Sequence, residues 1–285
     1  MRHWLTCLLL LAMAPVAFAE DDPSWRARRL ERLQRPDGWL TLVGLFWMEP
    51  GENRLGSGSD CTFHLDAGPA WLGTFHWDGQ HLSWTSPESP PLPLDPNEAE
   101  GKTKLHSGSI SWYTIRRDGR LGVRVKDSQS PVRLNFRGLD YYPADPAWSI
   151  SGHFKAYPKP RELRTESVIS GLEEVSQSPG EIEFQRAGHT YSVQVSSEGD
   201  GYSLMFGDRS NGQETYGAGR FLDIAAADSQ GNVVLDFNKA YNPPCCWTPY
   251  ATCPLPTSQN RLNFAVTAGE KFAGHLETSG LRELP

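Results

Sequence analysis

From residue 39 onward the apolar positions recur mostly every second residue, the period of a half-buried β-strand. Cys61, Phe63 and Leu65 alternate with Thr62, His64 and Asp66, and Phe75 and Trp77 flank His76 in the same way. Ile110, Trp112 and Thr114 oppose Ser111, Tyr113 and Ile115; Asp118-Gly119 then turns the chain into Leu121, Val123 and Val125. Further strands are expected at 132–136, 147–155, 181–186, 190–195, 202–206, 220–226, 233–238 and 262–266. Short strands joined by Gly, Pro and Asp turns predict an all-β fold, a mostly antiparallel β-sandwich or barrel.

One helix interrupts this pattern. Asp22 is placed to cap it and Pro23 suits its first turn. Trp25, Leu30 and Leu33 share a face before Pro36-Asp37-Gly38 stops it. Arg26, Arg28, Arg29, Glu31 and Arg32 cover the remaining surface, which predicts a helix lying on a sheet with its charges in solvent.

The first residues have the three parts of a secretory leader: Met1-Arg2-His3, an apolar run from Leu8 to Ala17, and the small-x-small triplet Ala17-Phe18-Ala19. Cleavage is expected before Glu20, giving a periplasmic or secreted chain with no stable membrane insertion. The mature chain, 20–285, reads either as one β-rich domain or as two packed parts, a Trp-rich 20–85 and a second of 105–285. Ser86 to Lys104, with five prolines and four carboxylates, would join them as an exposed excursion or linker.

The net charge of −7 and the lack of a basic run argue against a nucleic-acid partner. His64, His76 and His81 lack zinc-ligand spacing, so neither a metal nor a cofactor is expected. No Gly-x-Ser-x-Gly nucleophile elbow is present. In an oxidising compartment the cysteines beyond the leader favour one bond, from Cys253 to Cys245 or Cys246 across a short Pro-rich loop, with Cys61 unpaired.

The densest stretch is LDFNKAYNPPCCWTPYATCPLPTSQNRL, residues 235–262. Strand periodicity would place Asp236 and Asn238 on one face, feeding a loop stiffened by Pro243 and Pro244. Gly217-Ala218-Gly219 precedes a strand rather than a helix, so it is no dinucleotide loop. Arg220 beside it could clamp a carboxylate or phosphate, or could pair with Asp236 or Asp208. These residues predict a pocket for a small polar or anionic molecule, with Arg220, Asp236, Asn238, Tyr241, Asn242, Asn260 and Arg261 as its binding residues. A hydrolase of a small anionic or acylated substrate, using Asp236 as base with Arg220 or Lys239 as anchor, is the alternative. A purely structural role for the motif is the third.

The same stretch resembles the C-terminal signature of an uncharacterised family, domain of unknown function 1684, which runs close to DFN-[KR]-A-Y-N-P-P-C…C-P-L-P…N-R-L. The matching positions are Asp236, Asn238, Lys239, Tyr241, Asn242, Cys245, Cys253, Asn260 and Arg261. Cys246 is extra to the pattern, which leaves open whether Cys245 or Cys246 bonds to Cys253, with Cys245 preferred. Gly38 to Leu45 and Thr215 to Leu222 are similar to upstream parts of the same family; the resemblance brings no activity with it. Residues 52–65 are similar in layout to the early strands of forkhead-associated domains, but Ser57 stands where their phosphopeptide-binding arginine would be.

Overall fold

The computed structural model describes residues 22–272 apart from Glu88. The leader and its cleavage point before Glu20 lie outside these residues. Helix α1, Pro23–Gln34, forms as its signals dictate: the Asp22 carboxylate accepts from the Trp25 amide at 3.0 Å, and Pro23 occupies the first turn. A single 3-10 turn, Trp39–Thr41, leads from α1 into the sheets. No helix among the described residues is long and apolar enough to cross a membrane.

The first nine strands are β1 (Leu42–Trp47), β2 (Gly51–Gly56), β3 (Phe63–His64), β4 (Gly73–Trp77), β5 (Leu82–Ser86), β6 (Ser89–Leu94), β7 (Leu105–Ser107), β8 (Ile110–Arg117) and β9 (Arg120–Asp127). They make a four-stranded sheet, β1-β9-β8-β7, and a five-stranded one, β3-β2-β4-β5-β6. The apolar alternation of both sheets meets in one core containing Leu55, Phe63, Phe75, Trp84, Trp112, Val123 and Val125. Asp118 and Gly119 both adopt positive φ, 50° and 73°, as a tight two-residue hairpin with strand-matching twist requires.

Strands on both sides of the Pro-rich segment 86–104 contribute to this core. The segment contains β6, which pairs only with β5, and proline is tolerated there because an edge strand leaves half its amides unpaired.

After a short helix α2 (Pro131–Leu134), where a strand was expected, six strands follow: β10 (Ser149–Glu166), β11 (Glu173–Arg186), β12 (His189–Glu198), β13 (Gly201–Phe206), β14 (Arg220–Ile224) and β15 (Asn232–Asp236). Their order is β14-β13-β12-β11-β10-β15. All six contribute to a single core, from Ile150 through Ile182, Val193, Leu204 and Leu222 to Leu235, so the sheet curls around its own apolar face. Residues 262–266 are not a strand; Leu262 and Val266 plug this core from a loop. The fold class is all-β with an N-terminal helix, and a third small cluster, Leu42, Ala251 and Cys253 with Trp39 and Tyr250, lies where the halves meet.

Candidate functional site

The signature does not gather its polar side chains into one pocket. Arg220 is fully buried: it pairs with Asp208 at 3.0 Å and donates to the carbonyls of Val266, Ala268 and Glu270 at 2.8, 2.5 and 3.2 Å. Of the two roles open to it, the Asp208 pair is the one realised, and no ligand can reach it. Burial pulls its pKa down against the opposing pull of Asp208.

Asn260 is also buried. Its amide group donates to the carbonyls of Gln194 and Met205 at 2.9 and 3.0 Å, and its side-chain oxygen accepts from the Gln194 amide at 2.8 Å. Asn242 gives its amide to Glu270 at 2.8 Å and its side chain to the Lys271 carbonyl at 3.0 Å. Arg261 is exposed beside Gly207, with which its backbone forms an isolated bridge.

Strand β15 ends at Asp236 and Phe237–Lys239 is a 3-10 turn, yet the two side chains still meet: the Asn238 amide donates to the Asp236 carboxylate at 3.0 Å. Asn238 also braces the 145 loop, exchanging hydrogen bonds with the Asp145 backbone at 3.0 Å. Asp236 pairs with Lys239 at 3.4 Å, and Lys239 also approaches Asp22 at 3.6 Å. This is an outer ion-pair chain rather than a base inside a cavity.

Cys61, Cys245, Cys246 and Cys253 are all reduced in this structure. Cys245 and Cys253 are adjacent: the Cys245 amide donates to the Cys253 sulfur at 3.3 Å. The Cys253 thiol supports the Cys245 thiolate and lowers its pKa, while the same contact and then burial push Cys253 up. Cys246 is buried, and burial raises its thiol too.

A cleft of about 620 Å³ does exist, and it opens where the two halves meet. Only part of the signature, Tyr241, Pro244, Trp247 and Ala251 to Pro254, forms its walls. The others come from α1 and its following turn (Arg29, Arg32, Leu33, Trp39), from β8 and β9 (Arg117, Arg124, Lys126), and from Glu174, Glu198, Phe221 and Asp223. Six cationic side chains, Arg29, Arg32, Arg35, Arg117, Arg124 and Lys126, line it against four carboxylates. That sign is opposite to the chain's own −7.

Each wall has an identifiable cause. Arg29 is buried on the inner face of α1. Its Nε donates to Glu270 at 2.8 Å and its Nη2 to the Asn242 carbonyl at 2.8 Å, which ties the helix to the signature. Its guanidinium lies 4.7 Å over the Tyr241 ring, and the Tyr241 hydroxyl donates to Asp223 at 2.8 Å. Burial and then Asp223 raise the Tyr241 pKa, keeping the phenol neutral.

On the opposite wall Arg117 and Arg124 share Glu100, a carboxylate of the Pro-rich segment, and both donate to the Thr252 hydroxyl at 3.1 Å. Arg117 also meets Glu174 at 3.0 Å. Two buried donors of the cleft have no partner: Arg124 Nε and Trp247 Nε1. A buried unpaired donor costs free energy and would gain from an acceptor.

Lys126 stands two residues from Arg124 on the same face of β9. The Arg124 guanidinium and the Lys126 ammonium both approach the Trp39 ring, at 5.2 and 5.5 Å from its centroid. The ammonium donates to the Asp37 carbonyl at 2.6 Å, and no carboxylate of the described residues pairs with it. Burial lowers its pKa to about 8; Lys104 and Arg124 add to that, and Asp37 and Glu100 oppose it. A lysine so shifted binds fewer protons folded than unfolded between about pH 8 and its ordinary 10.5, so it makes stability rise with pH across that window. Denaturant unfolding of Lys126→Met beside the parent is expected to show this rise in the parent alone; parallel pH curves would remove Lys126 as its source.

The sequence missed this cleft for a definite reason. Gly122, Arg124 and Lys126 alternate with Leu121, Val123 and Val125, and α1 is charged around most of its circumference. Both read as solvent faces until the second half of the chain folds over them.

The comparison with curated proteins gives no match. Among solved structures, the uncharacterized protein from gene locus rrnAC0354 of Haloarcula marismortui, determined by solution NMR, is similar at 27% identity over 49% of this chain and 78% of that one, with a TM-score of 0.42. Residues 134–271, which span the curled sheet and the signature, match the family described as "Protein of unknown function (DUF1684)".

Proposed function

We propose that the cleft between α1, β9 and the 241–254 loop binds a small anionic molecule carrying an apolar or flat portion. The observation that carries this is the pair of unpartnered buried donors, Arg124 Nε and Trp247 Nε1, inside a cleft whose lining is more cationic than anionic. An acceptor with negative charge satisfies both donors and gains charge-assisted hydrogen bonds. Trp39, Phe221, Ala251 and Pro254 provide apolar surface for the rest of the molecule. The hydrolase alternative loses its base, because Asp236 lies outside the cleft walls.

The test is thermal unfolding with mono- and dicarboxylates and with phosphate at constant ionic strength. A ligand present at about 100 times its Kd stabilises by about 2.7 kcal/mol, a rise of several degrees in Tm. Because Lys126 loses its charge through about pH 8, affinity for the anion is expected to fall as pH passes that value. No shift with any anion, or a pH-independent one, counts against the reading.

This reading includes the envelope location expected from the leader. In that compartment the adjacent Cys245 and Cys253 are expected to be joined, leaving Cys61 and Cys246 free. Intact mass and peptide mapping without reduction check both points. A mature chain retaining residues 1–19, or Cys253 recovered as a thiol from the envelope, overturns them.

A further inference from the structure

The cleft holds one group that anion binding alone does not explain. An ammonium meant only as a counter-charge is better served by a longer reach and full hydration, yet Lys126 is held against two aromatic rings, Trp39 at 5.5 Å and Tyr113 at 5.8 Å. The charges facing it come from every neighbouring element: Asp37 from the turn after α1, Lys104 from just before β7, Arg124 on its own strand, and Glu100 from the Pro-rich segment. Asp37 is engaged by Arg35 at 3.1 Å and Lys104 at 4.0 Å, and Glu100 by Arg117 and Arg124. Lys126 is thereby left as a cation beside cations, without a carboxylate of its own. Desolvation next to another positive group is how a lysine is kept as a free amine and so as a nucleophile.

Resting on the anion-binding reading of the same cleft, we propose that Lys126 is a carbonyl-reactive amine that forms an imine with small oxo-acids, whose carboxylate is held by Arg124 and Trp247. The Lys126 nitrogen adds to the carbonyl carbon. The C–N bond becomes double as the carbonyl oxygen leaves as water with the two amine hydrogens, and no oxidant or reductant is consumed. Arg124 and Lys126 are suited to a short bifunctional molecule because both approach one ring from neighbouring positions on one strand face. The Trp39 ring beside them supplies apolar surface next to the new bond.

The experiment traps the imine. The whole protein is treated with glyoxylate and cyanoborohydride near pH 8, and labelling of each lysine is followed by peptide mapping. Lys126 is expected to label at least about tenfold faster than Lys104 or Lys155, as a lysine poised as free amine should. Glycolate, which has the carboxylate but no carbonyl, should slow it. Lys126→Arg should abolish the fast phase while still binding glycolate. Labelling of Lys126 no faster than of the other lysines, with glycolate still bound, overturns this inference and leaves the anion site standing. Failure of glycolate to compete overturns this inference, and failure of every anion of the thermal series to bind overturns both.

Discussion

Arg220→Ala is expected to lower the unfolding free energy by about 3–5 kcal/mol, the usual result of removing one member of a buried ion pair. Both side chains are fully enclosed, so Asp208 would keep a charge with no counter-ion. Three main-chain carbonyls of the 266–270 segment would also lose their donor. Asp208 itself further accepts from the Val266 amide at 3.0 Å and from Ser210, so the strain would spread into both loops. Urea unfolding measures the loss. A change below about 1 kcal/mol would place the arginine among exposed pairs of little worth and refute its structural assignment.

Glu270→Ala should be of comparable size, about 3–5 kcal/mol, for the same reason in mirror image: Arg29 would be the buried charge left alone. The Glu270 carboxylate accepts from Arg29 at 2.8 Å and from the Asn242 amide at 2.8 Å, so it fixes α1 and the signature to one point. The Glu270 carboxylate outweighs burial and raises the pKa of Arg29. Since Arg29 also sits over Tyr241 in the cleft, the variant should weaken anion binding as well as stability. Urea unfolding together with titration by the same anion checks the two effects. Retention of full stability would mean that α1 is held by its apolar face alone.

Local alternation carried the architecture well. Cys61, Phe63 and Leu65 point inward as their spacing requires, the Asp118-Gly119 hairpin forms where its turn residues stand, and Asp22 caps α1. The failures occur where a longer-range contact overrules a local signal. Residues 262–266 look like a strand but are recruited as a plug by the curled sheet, and 132–136 becomes part of a short helix begun by Pro131. The candidate site departs from its local signal in the same manner. Arg220, and Asn242 and Asn260 of the signature, satisfy main-chain groups of loops and strand edges, a task that residue type cannot distinguish from ligand binding. Conversely, Arg29 and Arg124 were legible only as solvent-facing charge, because the groups that enclose them are more than a hundred residues away in sequence, and Lys126 likewise, because its partner Asp37 is 89 residues away. Tyr241 is the one proposed binding residue that the fold does bring to the cleft.

Trp39 and Trp247 both line the cleft, which makes intrinsic fluorescence the most direct report on its contents. Titration of the parent protein, Arg124→Gln and Asp236→Asn with the anion that gives the largest thermal shift, at constant ionic strength and pH 7, tests the central claim. A saturable change in the parent and in Asp236→Asn, weakened at least about tenfold in Arg124→Gln through loss of a charge-assisted hydrogen bond, is the predicted result. A parent protein whose fluorescence does not saturate with any anion, or whose affinity is lost with Asp236 and kept without Arg124, would contradict it.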